Sequence, residues 1–439
     1  MSSPRTTRRR LALSALLGGL ILLVLEGLSW LGLSWVHHHP ASWAGLEEQR
    51  AAARSDGGAL AVNLPDLPRR HRDEQVIHPF LGFVIDPERS PAARWPGRDR
   101  DAIQLGFPWN EEHLFQPQDG GTVVVALFGG SVAVGLVQDP QQSLKRALSA
   151  LPNLEGRRLI LLCLASMGYK QPQQLATLNY FLALGGRVDV VLNLDGFNEV
   201  ALPPAELVPR GAFVHLPQSW IARAAPFDPD LQAKVGELAA VRARQSARAA
   251  AFSRRPWRWS FTAGVLWTVL DRGYAIRARA LETELASWDP DKLGYIARGP
   301  RLSGKTADTA MADIVDLWQR SSRQMHALAQ GLGLRYIHFL QPNQYDPGSK
   351  PLSEEEKRSF YQADHPYRPG VEAGYPLLRR AGEELRASGV AFFDLSRIFA
   401  TTEETLYTDS CCHLNSKGSA LLAQAIADAL AQHDLPPPR

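Results

Sequence analysis

From Thr122 onward the chain carries short, nearly continuous apolar runs: TVVVALF (Thr122 to Phe128), RRLILLCLA (Arg157 to Ala165) and RVDVVLNL (Arg187 to Leu194), joined later by RYIHFL and VAFFDL. Runs of this length suit strands buried on both faces. Between and after them lie stretches with apolar residues at helical spacing: PQQSLKRALSAL, QPQQLATLNYFLAL behind Pro172, TAMADIVDLWQRSSRQMHALAQGLGL, YPLLRRAGEELRASG and SKGSALLAQAIADALAQ. Strands alternating with helices predict a parallel sheet wound by right-handed crossovers. The expectation is a three-layer α/β/α, flavodoxin-like domain with five parallel strands over residues 122–435. The alternation lapses from about Glu199 to Lys305, which predicts a helical insertion between the third and fourth strands.

The N-terminus follows a different pattern. Arg5, Arg8, Arg9 and Arg10 precede an apolar run that continues through Trp30 and Trp35 to Val36. Leading positive charge and trailing tryptophans predict a signal anchor over 11–36, with 1–10 cytoplasmic and the body exported. This predicts a single-pass membrane protein with its larger part outside the cytoplasm. Glu26 is the flaw in the span, since a carboxylate at mid-bilayer costs roughly 2.5–3.5 kcal/mol on insertion scales. The alternative is a signal peptide cleaved near Ser29, but the apolar run outlasts the roughly 7–15 residues of a signal core. Residues 37–121, rich in Pro, Arg, Asp and Gly with apolar islands such as HPFLGFVIDP, read as a stalk and then a strap packed on a domain.

Composition narrows the function. The chain has 439 residues, with 48 basic against 45 acidic side chains and a net charge of +3, too little for the electrostatic footprint of a nucleic-acid binder. Three cysteines, Cys163, Cys411 and Cys412, exclude a disulfide framework. The insertion holds a basic, Trp-bearing stretch, Arg242 to Arg279, with nine Arg and one Asp around the apolar core FTAGVLWTVL. The expectation is a helical lid with solvated arginines, since most amphipathic helices are core-packed; the alternative is a segment lying on an anionic membrane surface.

In open parallel sheets reactive groups gather beyond the carboxyl ends of the strands. After the first strand comes GGSVAVG, with Ser131 behind Gly129 and Gly130; after the second, SMGYKQP with Gly168; after the third, DGFNEV with Asn198. Each alone reads equally as a turn. Before the last helix comes TDSCCHLNSKG, which places Asp409, Cys411, Cys412 and His413 within five residues. A serine nucleophile needs a base, and an imidazole oriented by a carboxylate supplies one. Asp409 and His413, four residues apart, fit that role for Ser131. A metal site would need further ligands than two adjacent thiols and one imidazole, and adjacent cysteines are not the C-x-x-C of redox enzymes. Metal, redox and plain turn readings stay beside the hydrolytic one.

Taken together, FGGSVA, SMGY, GFNE and DSCCHLNSKG resemble, in order and placement, the four signature blocks of the SGNH, or GDSL-type, hydrolase superfamily. The resemblance spans about Thr122 to His433 without the insertion. HPFLGFVIDP and LQPNQYDPGSKPLSEEE are similar to stretches of membrane-tethered bacterial members. It implies that Ser131 is the nucleophile, that the Ser131 and Gly168 N–H groups and the Asn198 side chain form an oxyanion hole, and that His413 is the base oriented by Asp409. It implies no cofactor and no metal, and a bacterial cell membrane with the catalytic domain periplasmic; from that location alone, the expected substrate is an acylated small molecule or glycan, O-acetyl esters included. An O-acyltransferase with the same triad, or a non-catalytic carbohydrate-binding or assembly protein, would keep the same fold. Two departures stand out: Gly130 occupies the position of the eponymous Asp, and the terminal spacing is D-x-x-x-H in place of D-x-x-H.

Overall fold

A computed structural model describes residues 4–56, 74–116, 121–224, 227, 229–286, 294–300 and 306–434. Much of the expected stalk (57–73), the expected end of the insertion at Lys305 and the tail from 435 lie outside the described residues. The chain divides into two compact units, Met1–Pro65 with Ala224–Leu293, and Asp66–Arg223 with Gly294–Arg439.

In chain order the elements used below begin with α1 (Pro4–His37) and α2 (Trp43–Asp56), then the hairpin β1 (Gln75–His78) and β2 (Gly82–Ile85). The sheet unit continues with β3 (Thr122–Gly129), α3 (Ser131–Gln138), α4 (Ser143–Ser149), β4 (Arg158–Cys163), α5 (Gln173–Ala183), β5 (Val190–Asp195) and α6 (Phe197–Glu206). The insertion supplies α7 (Pro229–Phe252) and α8 (Phe261–Ala286). The chain closes with α9 (Ala307–Gly331), β6 (Arg335–Leu340), α10 (Arg368–Ala387), β7 (Ala391–Asp394) and α11 (Ser416–Ala431).

Five parallel strands form the central sheet in the order β4-β3-β5-β6-β7. Val125 in β3 pairs with Leu161 on one side and Val190 on the other, and every residue of β3 is buried. The continuous apolar runs are therefore strands covered on both faces. Helices α3, α4 and α11 pack together, as do α5, α6, α9 and α10, giving the two outer layers. Because the chain leaves β3 for β4 on one side and returns to β5 on the other, the carboxyl ends of β3 and β5 flank a topological switch point.

The hairpin β1–β2 belongs to the same core. Leu81, Phe83, Val84 and Ile85 join the main apolar cluster, Tyr169 Oη donates to Phe83 O at 2.7 Å, and Gln173 Nε2 donates to Leu81 O at 2.8 Å. The strap thus braces the loop after β4. Glu199, the expected start of the insertion, lies inside α6, which packs on α9 and α10. The segment that leaves the sheet unit runs from Ala224 to Leu293 instead.

In the other unit, α1 holds one stretch, Leu13–His37, long and apolar enough to cross a membrane. Its C-terminal half packs with α2, α7 and α8 around Leu33, Leu46, Ala249 and Trp267. Glu26 is satisfied there: Ser260 Oγ and the Phe261 N–H donate to its carboxylate at 2.5 and 2.6 Å, so it caps the N-terminus of α8 and occupies donors that helix geometry leaves unpaired.

Candidate active site

The end of β3 turns sharply at Gly129, whose φ of +146° suits glycine and whose Cα approaches the Leu194 carbonyl so closely that a Cβ would fall 2.1 Å from that oxygen. Gly130 then caps α3, and Ser131 is the first residue of that helix, with its hydroxyl half-exposed at the switch point. Asn198 sits in the first turn of α6 beyond β5, and its Nδ2 donates to Tyr169 O at 2.8 Å. A Cβ on Gly130 would lie 2.4 Å from that same Nδ2. A side chain at position 130 would therefore collide with the Asn198 amide as placed here, which accounts physically for Gly130.

His413 reaches the site from the loop before α11. Its Nε2 lies 2.7 Å from Ser131 Oγ, and its Nδ1 pairs with Asp409 Oδ2. The extra residue between acid and base is absorbed by a turn built on the acid itself. Asp409 Oδ1 accepts the backbone N–H groups of Cys411, Cys412 and His413 at 2.9, 3.0 and 3.2 Å, while Thr408 N donates to His413 O at 3.0 Å. Burial opposes ionisation of Asp409, but the His413 bond and these backbone donors hold its carboxyl below the usual range. The cysteines face each other with sulfurs 3.4 Å apart, Cys412 in the core and Cys411 in the cavity wall. The contact with Cys411 and burial push the Cys412 pKa well up, so it remains a thiol at neutral pH.

Ser131, Gly168, Asn198 and His413 line one cavity of ≈ 260 Å³, and Asp409 stands behind the imidazole. The four separate sequence blocks are thus brought together. Apolar walls come from Met167, Phe197, Leu202 and Tyr367, polar ones from Glu206, Gln218, Ser219 and Arg223.

Several residues that serve this geometry had no role assigned from the sequence, although five of them lie in the stretch LQPNQYDPGSKPLSEEE. Asn343 Nδ2, Gln344 Nε2 and Tyr345 Oη donate to the carbonyls of Cys411, Asp409 and Ser410 at 3.0, 2.9 and 2.8 Å, clamping the acid–base loop from the segment after β6. The buried Lys350–Glu356 pair fixes the start of that loop, since Glu356 Oε1 accepts the N–H groups of Leu406 and Tyr407. Gln218 lies against Gly168, whose positive φ of +81° leaves a bare Cα; a Cβ there would meet Gln218 Oε1 at 1.7 Å. Ser219, also at positive φ (+53°), is held by its N–H to Glu206 Oε2 at 2.8 Å, and Arg223 Nε donates to Gln218 O at 3.0 Å. Arg223 stacks on Phe83, 3.9 Å from its ring centre, and burial draws its pKa down to about 10 against the pull of Glu206.

Glu199 links the second and third blocks: its Oε1 accepts Gln171 N at 2.9 Å and its Oε2 accepts Gly196 N at 2.8 Å. Burial first, and then the neighbouring Asp195 charge, raise its pKa to about 8. In the unfolded chain it ionises near its ordinary value of 4.5, so between that pH and about 8 the folded state binds more protons. Stability should therefore fall as pH rises through this window. Glu199→Gln should flatten that slope, measured as urea midpoint against pH; an unchanged slope would mean that Glu199 is ionised throughout.

No protein-family profile and no curated protein matches the sequence. Similar solved structures include the lipase/acylhydrolase from Enterococcus faecalis, at 12% identity and a TM-score of 0.33, covering 72% of this chain and 99% of that one. They also include the lipase Lip_vut3 from a goat rumen metagenome, at 11% identity and a TM-score of 0.33, covering 70% of this chain and 97% of that one.

Proposed function

We propose that this protein is a serine ester hydrolase of SGNH type. The reading is carried by the unbroken relay from Asp409 through His413 to Ser131, in which Nε2 stands 2.7 Å from the hydroxyl that must lose its proton. His413 takes the Ser131 proton as Oγ attacks the ester carbonyl. The resulting oxyanion is met by the Ser131 and Gly168 N–H groups and the Asn198 amide. His413 then gives the proton to the leaving alcohol, and water, deprotonated by the same imidazole, releases the acid. Asp409 holds the Nδ1–H tautomer and balances the imidazolium.

A cavity of ≈ 260 Å³ is at the small end for ligand pockets, which supports a short acyl group with the alcohol part extending outward. With α1 read as an anchor and the arginines that precede its apolar run on the cytoplasmic side, the natural esters would lie outside the cytoplasm, acetylated glycans among them. Product analysis with and without a glycan acceptor separates hydrolysis from acyl transfer.

Asn198→Ala tests the oxyanion assignment. kcat for p-nitrophenyl acetate should drop by roughly 10²–10³ with little change in KM, because the donor acts mainly in the transition state. An effect confined to KM would place Asn198 on the ground-state substrate instead.

A further inference from the structure

The charges of the insertion hairpin are arranged in a particular way. Along α7 and α8 they are matched in antiparallel register, Arg242 with Glu282, Lys234 with Glu284 and Arg277 with Glu237, and the Gln245 amide donates to Asp271. At the turn between the helices, Ser253–Ser260, the matching stops. Arg254, Arg255 and Arg258 are exposed, and among the described residues none meets a carboxylate; Arg258 lies over the Trp259 ring at 5.2 Å. Trp257 and Trp259 are 56% and 48% exposed.

This turn is fixed to the apolar helix. Glu26 caps α8 through Ser260 and Phe261, and Ser29 Oγ donates to Thr262 Oγ1 at 3.1 Å. Further out, Leu33 and Trp267 share one apolar cluster, so α1 and α8 advance side by side in the same direction from Glu26. Around the turn, Leu22 and Leu25 of α1 with Trp257, Leu266 and Val269 line an open apolar groove of ≈ 790 Å³. The end of that groove formed by Leu22, Leu25 and Trp257 is continuous with the lipid-facing side of α1 and is covered by acyl chains when that helix is in a bilayer.

We propose that the Ser253–Ser260 turn is a second membrane-contact element, docked in the headgroup layer of the anionic bilayer that α1 crosses. This rests on reading α1 as a membrane anchor. Trp257 and Trp259 sit at the interface, where an amphipathic ring is favoured, and Arg254, Arg255 and Arg258 pair with lipid phosphates. The outer membrane boundary then crosses α1 near Glu26, so that carboxylate lies at the interface and not at mid-bilayer. From Arg10 to Glu26 the helix rises about 24 Å, a short span that a bilayer meets by local thinning. Each arginine near an anionic surface strengthens docking about fivefold, so the three together account for roughly a hundredfold.

The test uses the full chain in vesicles of phosphatidylglycerol and phosphatidylcholine with acyl chains brominated near the headgroup. Wild type minus the double variant Trp257→Phe with Trp259→Phe isolates the emission of the turn. That difference should be quenched by lipid bromine and shielded from aqueous acrylamide. The triple variant Arg254→Gln, Arg255→Gln, Arg258→Gln, made in both backgrounds, should move it to acrylamide quenching. Carbonate extraction separates the two failures. A protein released by carbonate overturns the anchor reading and the docked turn with it. A protein retained in the vesicles whose difference emission is quenched by acrylamide and not by bromine overturns the docked turn alone, and an unchanged triple variant overturns the phosphate contacts.

Discussion

Ser131→Ala is expected to lower kcat for p-nitrophenyl acetate by on the order of 10⁴–10⁶-fold while leaving the melting temperature within a few degrees of wild type. The two expectations separate because the role proposed for the hydroxyl is chemical and its structural one is small. Gly130, not Ser131, is the N-cap of α3, and the Ser131 side chain contributes a bond to His413 worth about 1 kcal/mol net. Without Oγ no acyl-enzyme forms, and only water attacking directly in the oxyanion hole would remain. Turnover measured beside a melting curve checks both halves. Unchanged turnover in a folded variant would remove Ser131 as the nucleophile, and a collapsed melting curve would show that its role in the turn had been underestimated.

The second large effect is expected at Asp409. Its two oxygens do different work: Oδ1 organises the turn through three backbone N–H groups, and Oδ2 faces His413 Nδ1. Asp409→Asn can keep the turn if its carbonyl oxygen takes the Oδ1 position. The amide nitrogen then faces Nδ1, favours the wrong imidazole tautomer and cannot balance the imidazolium, so kcat should fall by roughly 10⁴-fold. Cys411→Ser with Cys412→Ser should retain most of the activity, since Cys412 is a core residue and Cys411 only lines the cavity. Zinc chelators should have no effect. If chelation or the double serine variant removes activity while Asp409→Asn does not, the loop works through its sulfurs and the relay is wrong.

How much could be read in advance differs by element. The sheet was legible because β3, β4 and β5 are buried on both faces and so appear as unbroken apolar runs, and the positions of Ser131, Gly168 and Asn198 followed from where those runs end. The insertion boundary was not legible at Glu199. That residue is buried and polar because it ties Gln171 N to Gly196 N, a long-range arrangement that composition cannot distinguish from a solvated helix. The four-residue spacing of Asp409 and His413 looked like a weakness, because nothing in the letters indicates that a carboxylate will fold back onto the next turn. Asn343, Gln344 and Tyr345 stood in a stretch marked only by resemblance, and what they and Gln218 do was not legible, because bonds to backbone carbonyls and close contacts impose no periodicity. Glu26 read as an unpaired charge in the span because its partners, Ser260 and Phe261, lie more than two hundred residues away.

The central claim is that Ser131 is a nucleophile activated by His413. A fluorophosphonate tests it without knowledge of the natural substrate, since the phosphorus is attacked by an activated serine and the adduct is stable. A single adduct mapping by peptide mass to Ser131 is expected, absent in Ser131→Ala and formed far more slowly in His413→Ala. Folded protein that takes up no probe, or that carries it elsewhere with Ser131 unmodified, would contradict the account.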